Sequence, residues 1–314
     1  LAGMVPELAP PFARTAPVRI PDGQHVALTP RVIAVIDHPD FQRLRRVRQL
    51  GPAHLVYPGA THTRFEHSIG VFETMRCYLQ GLLLDESFAS AAKEEDVLCG
   101  LAAGLLHDLG HYPFAHALES LHLRGLETPR HEEVGGRILL GLTSDKPIAG
   151  LLESQWGIDP RRVLGIVSGR PAEPARPVDR MLASMLHSPI DADKMDYLER
   201  DSIHMGVPYG RYHDRERLLS TLAIHPRTHR LAVTDKGRIS AEIFIFSRYT
   251  MFSEAYWHHA VRAAEAMVER ALEDFRTTSG IDNQELVRML LEHDEDGLLR
   301  TLRDRSAARR TGRS

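Results

Sequence analysis

Residues 104–119 read GLLHDLGHYPFAHALE, and the rest of the chain is best read outward from them. Just upstream, Val97, Leu98, Leu101, Leu105 and Leu106 recur at helical spacing, so His107 and Asp108 fall at the end of a core helix. Neighbours on one turn, their side chains fan out by about 100 degrees and can still converge on a single ion. Gly110 supplies a helix stop, and Pro113 can open a further helix over Phe114 to Leu121. His111, His116 and Glu119 thereby come close to the same pair. An isolated His-Asp dipeptide means little, but one followed by these groups points to a metal or phosphate centre.

Two other stretches carry matching chemistry. In HTRFEHSIGV (62–71), Arg64 and His67 are three residues apart and share one face of a helix beginning near Phe65. In IDADKMDYLERD (190–201), Asp193, Tyr197 and Asp201 recur every four residues as a polar stripe, with Lys194 and Arg200 on its flanks. Lys194 is one of only four lysines beside 35 arginines, and its compact ammonium suits a phosphate. His67, His107, Asp108 and Asp193 form a mixed imidazole and carboxylate ligand set, which suits Zn, Mn or Fe better than Ca or Mg. With cations beside it, the set reads as metal-assisted attack of water on a phosphate.

The remaining pattern is mainly α. Two short helices are expected within Ala27–Leu50, then helices over Phe65–Leu84, Asp96–Leu109, Thr128–Leu142, Ala149–Val167 and the 190–205 segment, with a Pro-rich break at Ser168–Asp179. A small β-hairpin, Leu218–Ile224 with Arg230–Thr234, interrupts the helices. Ile239–Phe275 reads as one long or two broken helices and Asp282–Leu302 as another. The division expected is an extended arm over 1–27, a helical domain over 28–278, and a C-terminal helix with a basic, disordered tail over 279–314.

Composition narrows the function classes. With 314 residues, 43% of them hydrophobic and 26% charged, the chain can bury a sizeable core. A net charge of −3 gives no global basic field, so any polyanion site must be local. The Arg43, Arg45, Arg46 and Arg48 run and the Arg-rich tail read as solvated faces, leaving at most weak single-stranded nucleic acid binding. Two cysteines cannot staple a secreted fold of this size, which points to a reducing cytoplasm. No apolar run approaches the ~20 residues of a membrane span, and the Pro-rich N-terminus does not read as a secretory signal.

HTRFEHSIGV, LLHDLGHYPFAHALE, RHEE (130–133) and IDADKMDYLERD, in this order, resemble the HD-domain phosphohydrolases. More narrowly they are similar to the deoxynucleoside triphosphate triphosphohydrolase branch, which includes bacterial dGTPase-like proteins. The resemblance covers roughly Leu28 to Val261. It implies a helical HD fold and hydrolysis of dNTPs to deoxynucleoside and tripolyphosphate, with a homo-oligomer, dimer or tetramer, as the working form. The rivals are an HD enzyme acting on a monophosphate, cyclic nucleotide or alarmone, and a non-catalytic nucleic-acid-binding protein.

Carried over motif by motif, the resemblance makes His67, His107, Asp108 and Asp193 ligands of a divalent transition metal (Mn, Fe or Zn), with Mg on the nucleotide. It makes Arg64, Lys194 and Arg248 triphosphate contacts, the last from SRYTMFSEAYWHH (247–259). His111, His116, His131 and Glu119 surround the scissile α-phosphate. His116, which Glu119 three residues on can orient, is the expected general acid, with His131 the competing assignment. Gln49, Leu50, Tyr197 and Asp201 match positions on the sugar and base side, while Tyr256 crowds the 2′ carbon and excludes a ribose. Asp37 and Arg45 match an allosteric nucleotide site of regulated members. The motif expected upstream of them is degraded to RIPDGQHVALTP (19–30), which argues against activator control.

Overall fold

The computed structural model describes residues 5–9, 17–21, 25–119 and 130–310, the side chains of 305–310 excepted. Residues 120–129, His122 among them, and most of the N-terminal arm lie outside that range. After a hairpin of β1 (Pro17–Arg19) and β2 (His25–Ala27) come α1 (Pro30–Ile36) and α2 (Pro39–Gln42), each opened by a proline in its first turn. The chain then runs through α3 (Arg64–Leu82), α4 (Glu86–Ala91), α5 (Glu94–Leu106), α6 (Ala115–Glu119), α7 (His131–Leu139), α8 (Ile148–Leu151), α9 (Pro160–Val167), α10 (Pro177–Ser184) and α11 (Ala192–Met205). A short α12 (Arg215–Leu219), the hairpin β3 (Leu222–Ile224) and β4 (Leu231–Val233), and then α13 (Arg238–Met251), α14 (His259–Ser279), α15 (Asn283–Glu292) and α16 (Glu295–Arg310) complete it. The fold is mainly α, with small antiparallel hairpins.

Its centre is α3, packed against α5 on one side and α11 on the other. That helix is buried nearly all round, from Phe65 to Leu82, and therefore shows no amphipathic stripe; its polar residues Arg64, His67, Glu73 and Arg76 are buried with it. α5 starts where the Asp96 carboxylate accepts the Lys93 N–H at 2.7 Å, and its acidic first turn, Glu94 to Asp96, complements the helix dipole. α11 starts where Asp191 accepts the Lys194 N–H at 2.8 Å. Side-chain caps thus set where two helices begin, and hence which of their turns face α3.

Several expectations are corrected. The N-terminal arm contains the β1–β2 hairpin. β3 begins at Leu222 rather than Leu218, because Asp214 caps a turn of helix by accepting the Arg217 N–H at 2.9 Å. The helix expected over Asp282–Leu302 is broken in two, since Asp294 accepts the Gly297 N–H at 2.7 Å and starts α16 afresh. α16 continues to Arg310, into the segment expected to be disordered, and docks back on the domain. Its buried Glu295 accepts the Arg48 N–H at 2.8 Å. The arginine run is a solvated face only in part: Arg45 and Arg46 are exposed and Arg48 is half-buried. Arg43 is buried and donates to the carbonyls of Leu109 and His111, both at 2.6 Å, while Arg45 lays its guanidinium 3.5 Å from the Phe65 ring centroid. Between α13 and α14 lies a π-helical turn, Phe252–Tyr256, a feature that often marks functional sites.

Candidate active site

The three decisive motifs meet where α3, the end of α5 and the start of α11 converge. His67 is fully buried, and its Nε2 lies 3.2 Å from His107 Nε2, 3.0 Å from Asp193 Oδ1 and 3.6 Å from Asp108 Oδ2. His107 Nε2 is 3.4 Å from Asp108 Oδ1 and 3.7 Å from Asp193 Oδ1. His67, His107 and Asp108 therefore point their ligand atoms into one small volume, with Asp193 approaching through the two histidines, a donor set fit for a divalent transition ion. The far side of each ring is occupied: His67 Nδ1 bonds Asp196 Oδ2 at 2.8 Å and His107 Nδ1 bonds the Gly104 carbonyl at 2.9 Å. Those bonds fix both rings and aim Nε2 into the pocket, where a bound cation would replace the proton that His67 otherwise shares with Asp193.

The electrostatics agree with a site built for a cation. Burial would lower the His67 pKa, but the Asp193 and Asp196 hydrogen bonds outweigh it and hold the group at about 10. Burial would raise Asp108, yet the neighbouring His107, His111 and Arg64 hold it well below the usual carboxylate range. Arg64 donates to Asp108 Oδ2 at 2.7 Å, and His111 Nε2 lies 3.0 Å from Asp108 Oδ1.

Above Asp108, His111 stacks on His131 with ring centroids 3.9 Å apart, and His116 meets both edge-on at 5.1 and 5.8 Å. Glu119 turns to His131 rather than His116, accepting from its ring Nδ1 and its backbone N–H, each at 2.8 Å. The i, i+3 reading of His116 and Glu119 is thereby corrected: α6 is a short turn, and the start of α7 intervenes. Burial lowers His131, but the Glu119 bond wins and its pKa is raised; burial and the charges of Arg64 and His131 push His116 down to about 4. Phe114, at φ 58°, carries the chain into α6 in a left-handed conformation unusual for a bulky residue.

This cluster opens on a cavity of about 510 Å³ whose wall includes Gln49, Leu50, Arg64, Lys194, Tyr197 and Asp201. Lys194 Nζ is held by Asp191 Oδ2 at 2.6 Å. Tyr256, from the π-helical turn, also lines the cavity and donates its hydroxyl to Asp201 Oδ2 at 2.6 Å. Arg248 is off the wall, 5.4 Å from the Phe252 ring centroid and close enough to act on the Tyr197 hydroxyl. Asp37 is exposed, and Arg45 bonds Gln42 Oε1 at 2.8 Å; neither lines the cavity.

Supporting residues were missed by the sequence reading. Asp196, three residues after Asp193, escaped a search for i, i+4 stripes, and Arg200 clamps it with two hydrogen bonds. Gly70 leaves room for that clamp: a Cβ there would overlap Asp196 Oδ1 and Arg200 Nη2. Gly110 similarly lets the backbones at His131 and Gly135 approach, since a Cβ would strike both.

Comparison with known proteins agrees with this geometry. The HD domain family model matches residues 64–201, spanning the whole ligand cluster, and the HD associated region matches 213–313. This chain belongs to the HD-domain superfamily. A structure of a hypothetical protein from Aquifex aeolicus superposes with TM-score 0.75 at 30% identity, covering 94% of this chain and 73% of that one. An uncharacterized Bacillus subtilis (strain 168) protein is 37% identical over 237 residues, 74% of this chain and 49% of its own length. The zebrafish (Danio rerio) deoxynucleoside triphosphate triphosphohydrolase SAMHD1 is 32% identical over 292 residues, 82% of this chain and 45% of its own. These relatives place the HD-domain chain on the deoxynucleoside triphosphate triphosphohydrolase-like branch of a superfamily of metal-dependent phosphohydrolases. The chain spans about half the length of the curated relatives it matches. Among the described residues, no helix is long and apolar enough to cross a membrane.

Proposed function

We propose that this HD-domain protein hydrolyses deoxynucleoside triphosphates to deoxynucleoside and tripolyphosphate. The observation that carries the reading is a single cavity bounded by the His/Asp cluster and Arg64 on one side and by the Asp201–Tyr256 pair on the other. A phosphate chain suits the first wall and a sugar the second. His67, His107, Asp108 and Asp193 would hold a Mn, Fe or Zn ion, which supplies Lewis-acid activation of water at neutral pH.

Water adds to the α-phosphorus and the bond to the 5′ oxygen breaks, so negative charge grows on the triphosphate while the leaving oxygen requires a proton. Arg64 and Lys194 offset the charge, with Arg248 closing in from behind Tyr197 and Mg carried by the nucleotide. His116 gives the proton. In the free protein the charges of Arg64 and His131 help to keep it neutral; phosphate oxygens laid against those cations relieve that repulsion, and the imidazole gains its proton with substrate in place. His131, held by Glu119, and the buried His111 contact the same phosphate. Tyr256 fills the space a 2′ hydroxyl would need.

The test incubates purified protein with each of the four dNTPs and matching rNTPs, with Mn and with Mg, and resolves products by anion exchange. Metal-dependent tripolyphosphate from dNTPs, absent in the His107→Ala/Asp108→Ala double variant, is the expected outcome. No tripolyphosphate from any nucleotide, with or without added GTP or dGTP, would overturn the reading.

A further inference from the structure

His62 is the residue that joins two of the sugar-side groups of the cavity, Asp201 and Gln49. Its side chain is fully buried, and its Nε2 lies 2.8 Å from Asp201 Oδ1, while the other Asp201 oxygen accepts the Tyr256 hydroxyl at 2.6 Å. A carboxylate only accepts, so His62 donates from Nε2. Its backbone carbonyl accepts the Gln49 N–H at 2.9 Å, and Arg64 donates to the Gln49 carbonyl at 3.3 Å. One residue thus holds Asp201 through its ring and Gln49 through its backbone. The ring is itself fixed, stacked on His204 with centroids 4.1 Å apart and planes 13° from parallel; His204 Nε2 lies 2.9 Å from Glu66 Oε1, which also accepts from Arg200 at 2.7 Å.

The groups so held are acceptors. Gln49 Oε1 is buried with no hydrogen-bond partner among the described residues, and Gln49 and Asp201 both face the cavity. An orphaned buried acceptor on a cavity wall is costly unless a ligand donates to it, and a sugar hydroxyl is such a donor. We infer that His62 is a positioning residue that sets sugar selectivity: it aims Asp201 and Gln49 at the 3′ hydroxyl and, through Asp201, holds Tyr256 where a 2′ hydroxyl would sit. This rests on the deoxynucleotide reading of the cavity. A site organised to bond a hydroxyl rejects the analogue lacking it much more strongly than an apolar pocket can reject a small change of size.

The experiment compares kcat/KM for a dNTP, its 2′,3′-dideoxy counterpart and its ribonucleotide in the wild type, His62→Phe and His62→Gln, with melting temperatures measured alongside. Phenylalanine keeps a flat ring over His204 and removes the donor; the Gln amide restores a donor near the position of Nε2. The expected result is that His62→Phe lowers the dNTP to dideoxy ratio by about tenfold or more, narrows the dNTP to rNTP ratio, and lowers the melting temperature because Asp201 Oδ1 loses its donor, with the protein still folded. His62→Gln recovers most of both ratios. A loss of activity at unchanged ratios would mean that His62 serves only stability or general activity, and would overturn the inference. So would equal behaviour of Phe and Gln. A wild type that hydrolyses no dNTP overturns the functional reading and this inference with it; a dNTP-active wild type with unchanged ratios in His62→Phe overturns the inference alone.

Discussion

The two walls of the cavity are built differently. On the His/Asp wall, donors sit on or at the ends of long helices and are backed from a second direction: His67 by Asp196, Asp196 by Arg200, His107 by the Gly104 carbonyl, Asp108 by Arg64 and His111. On the sugar wall, His62 from the irregular segment before α3 and Tyr256 from the π-helical turn meet at Asp201 of α11, with His204 stacked behind His62. Charged donors crowded around one point repel or pair wrongly unless each is clamped, so the first wall needs its bracing. On the proposed function, the second wall has shape and one hydroxyl to recognise, and fewer charges to hold apart.

The largest expected effect tests whether the braced wall carries the reaction. Asp108→Ala should lower phosphohydrolase turnover by about 10³-fold or more and abolish stoichiometric metal on elemental analysis, with the helical circular dichroism retained. Near-normal turnover would break the comparison at its base. Next, His116→Ala should cost about 10²- to 10³-fold in kcat and leave metal content unchanged, separating the acid from the ligands; if His131→Ala instead removes the alkaline limb of the kcat profile, the acid is His131. Smaller again, Asp196→Asn should weaken metal binding by about 10- to 100-fold, read by chelator competition, because the His67 ring loses its charged partner.

The smallest effect is on stability and comes from outside the cavity. His213 has a buried side chain and lies edge-on to Phe244 of α13 at 4.8 Å; burial, then the charge of Arg215, pushes its pKa down to about 4. The unfolded chain takes up that proton near pH 6.5 and the folded chain does not. Stability is therefore intact above about pH 6.5 and falls as the pH drops toward about 4, by up to roughly 1.4 kcal/mol per pH unit. Urea unfolding at pH 7 and pH 5 should show a steeper loss in the wild type than in His213→Phe.

The same contrast explains what the sequence could reveal. The convergence of His67, His107, Asp108 and Asp193 was legible because helical periodicity fixes which residues share a face, and each stands at a helix face or end. The partner of Glu119 was not legible, because it depends on how a loop returns His131 to α6. Asp196 was hidden by the choice of an i, i+4 stripe, although i, i+3 serves as well. The arginine run concealed Arg43 because burial of a cation against carbonyl oxygens leaves no periodic signature. The break at Asp294 was passed over although Asp before Gly-containing turns favours a new helix start.

Gly70 and Gly110 have no side chain that could act on an ion or a nucleotide, yet each occupies space that any side chain would take from a partner. In a saturation-mutagenesis screen for lost activity, both will score with the ligands themselves. Geneticists ranking alleles by phenotype alone would count them as catalytic, and only a paired abundance measurement would reveal that these positions tolerate no added atom for reasons of fit.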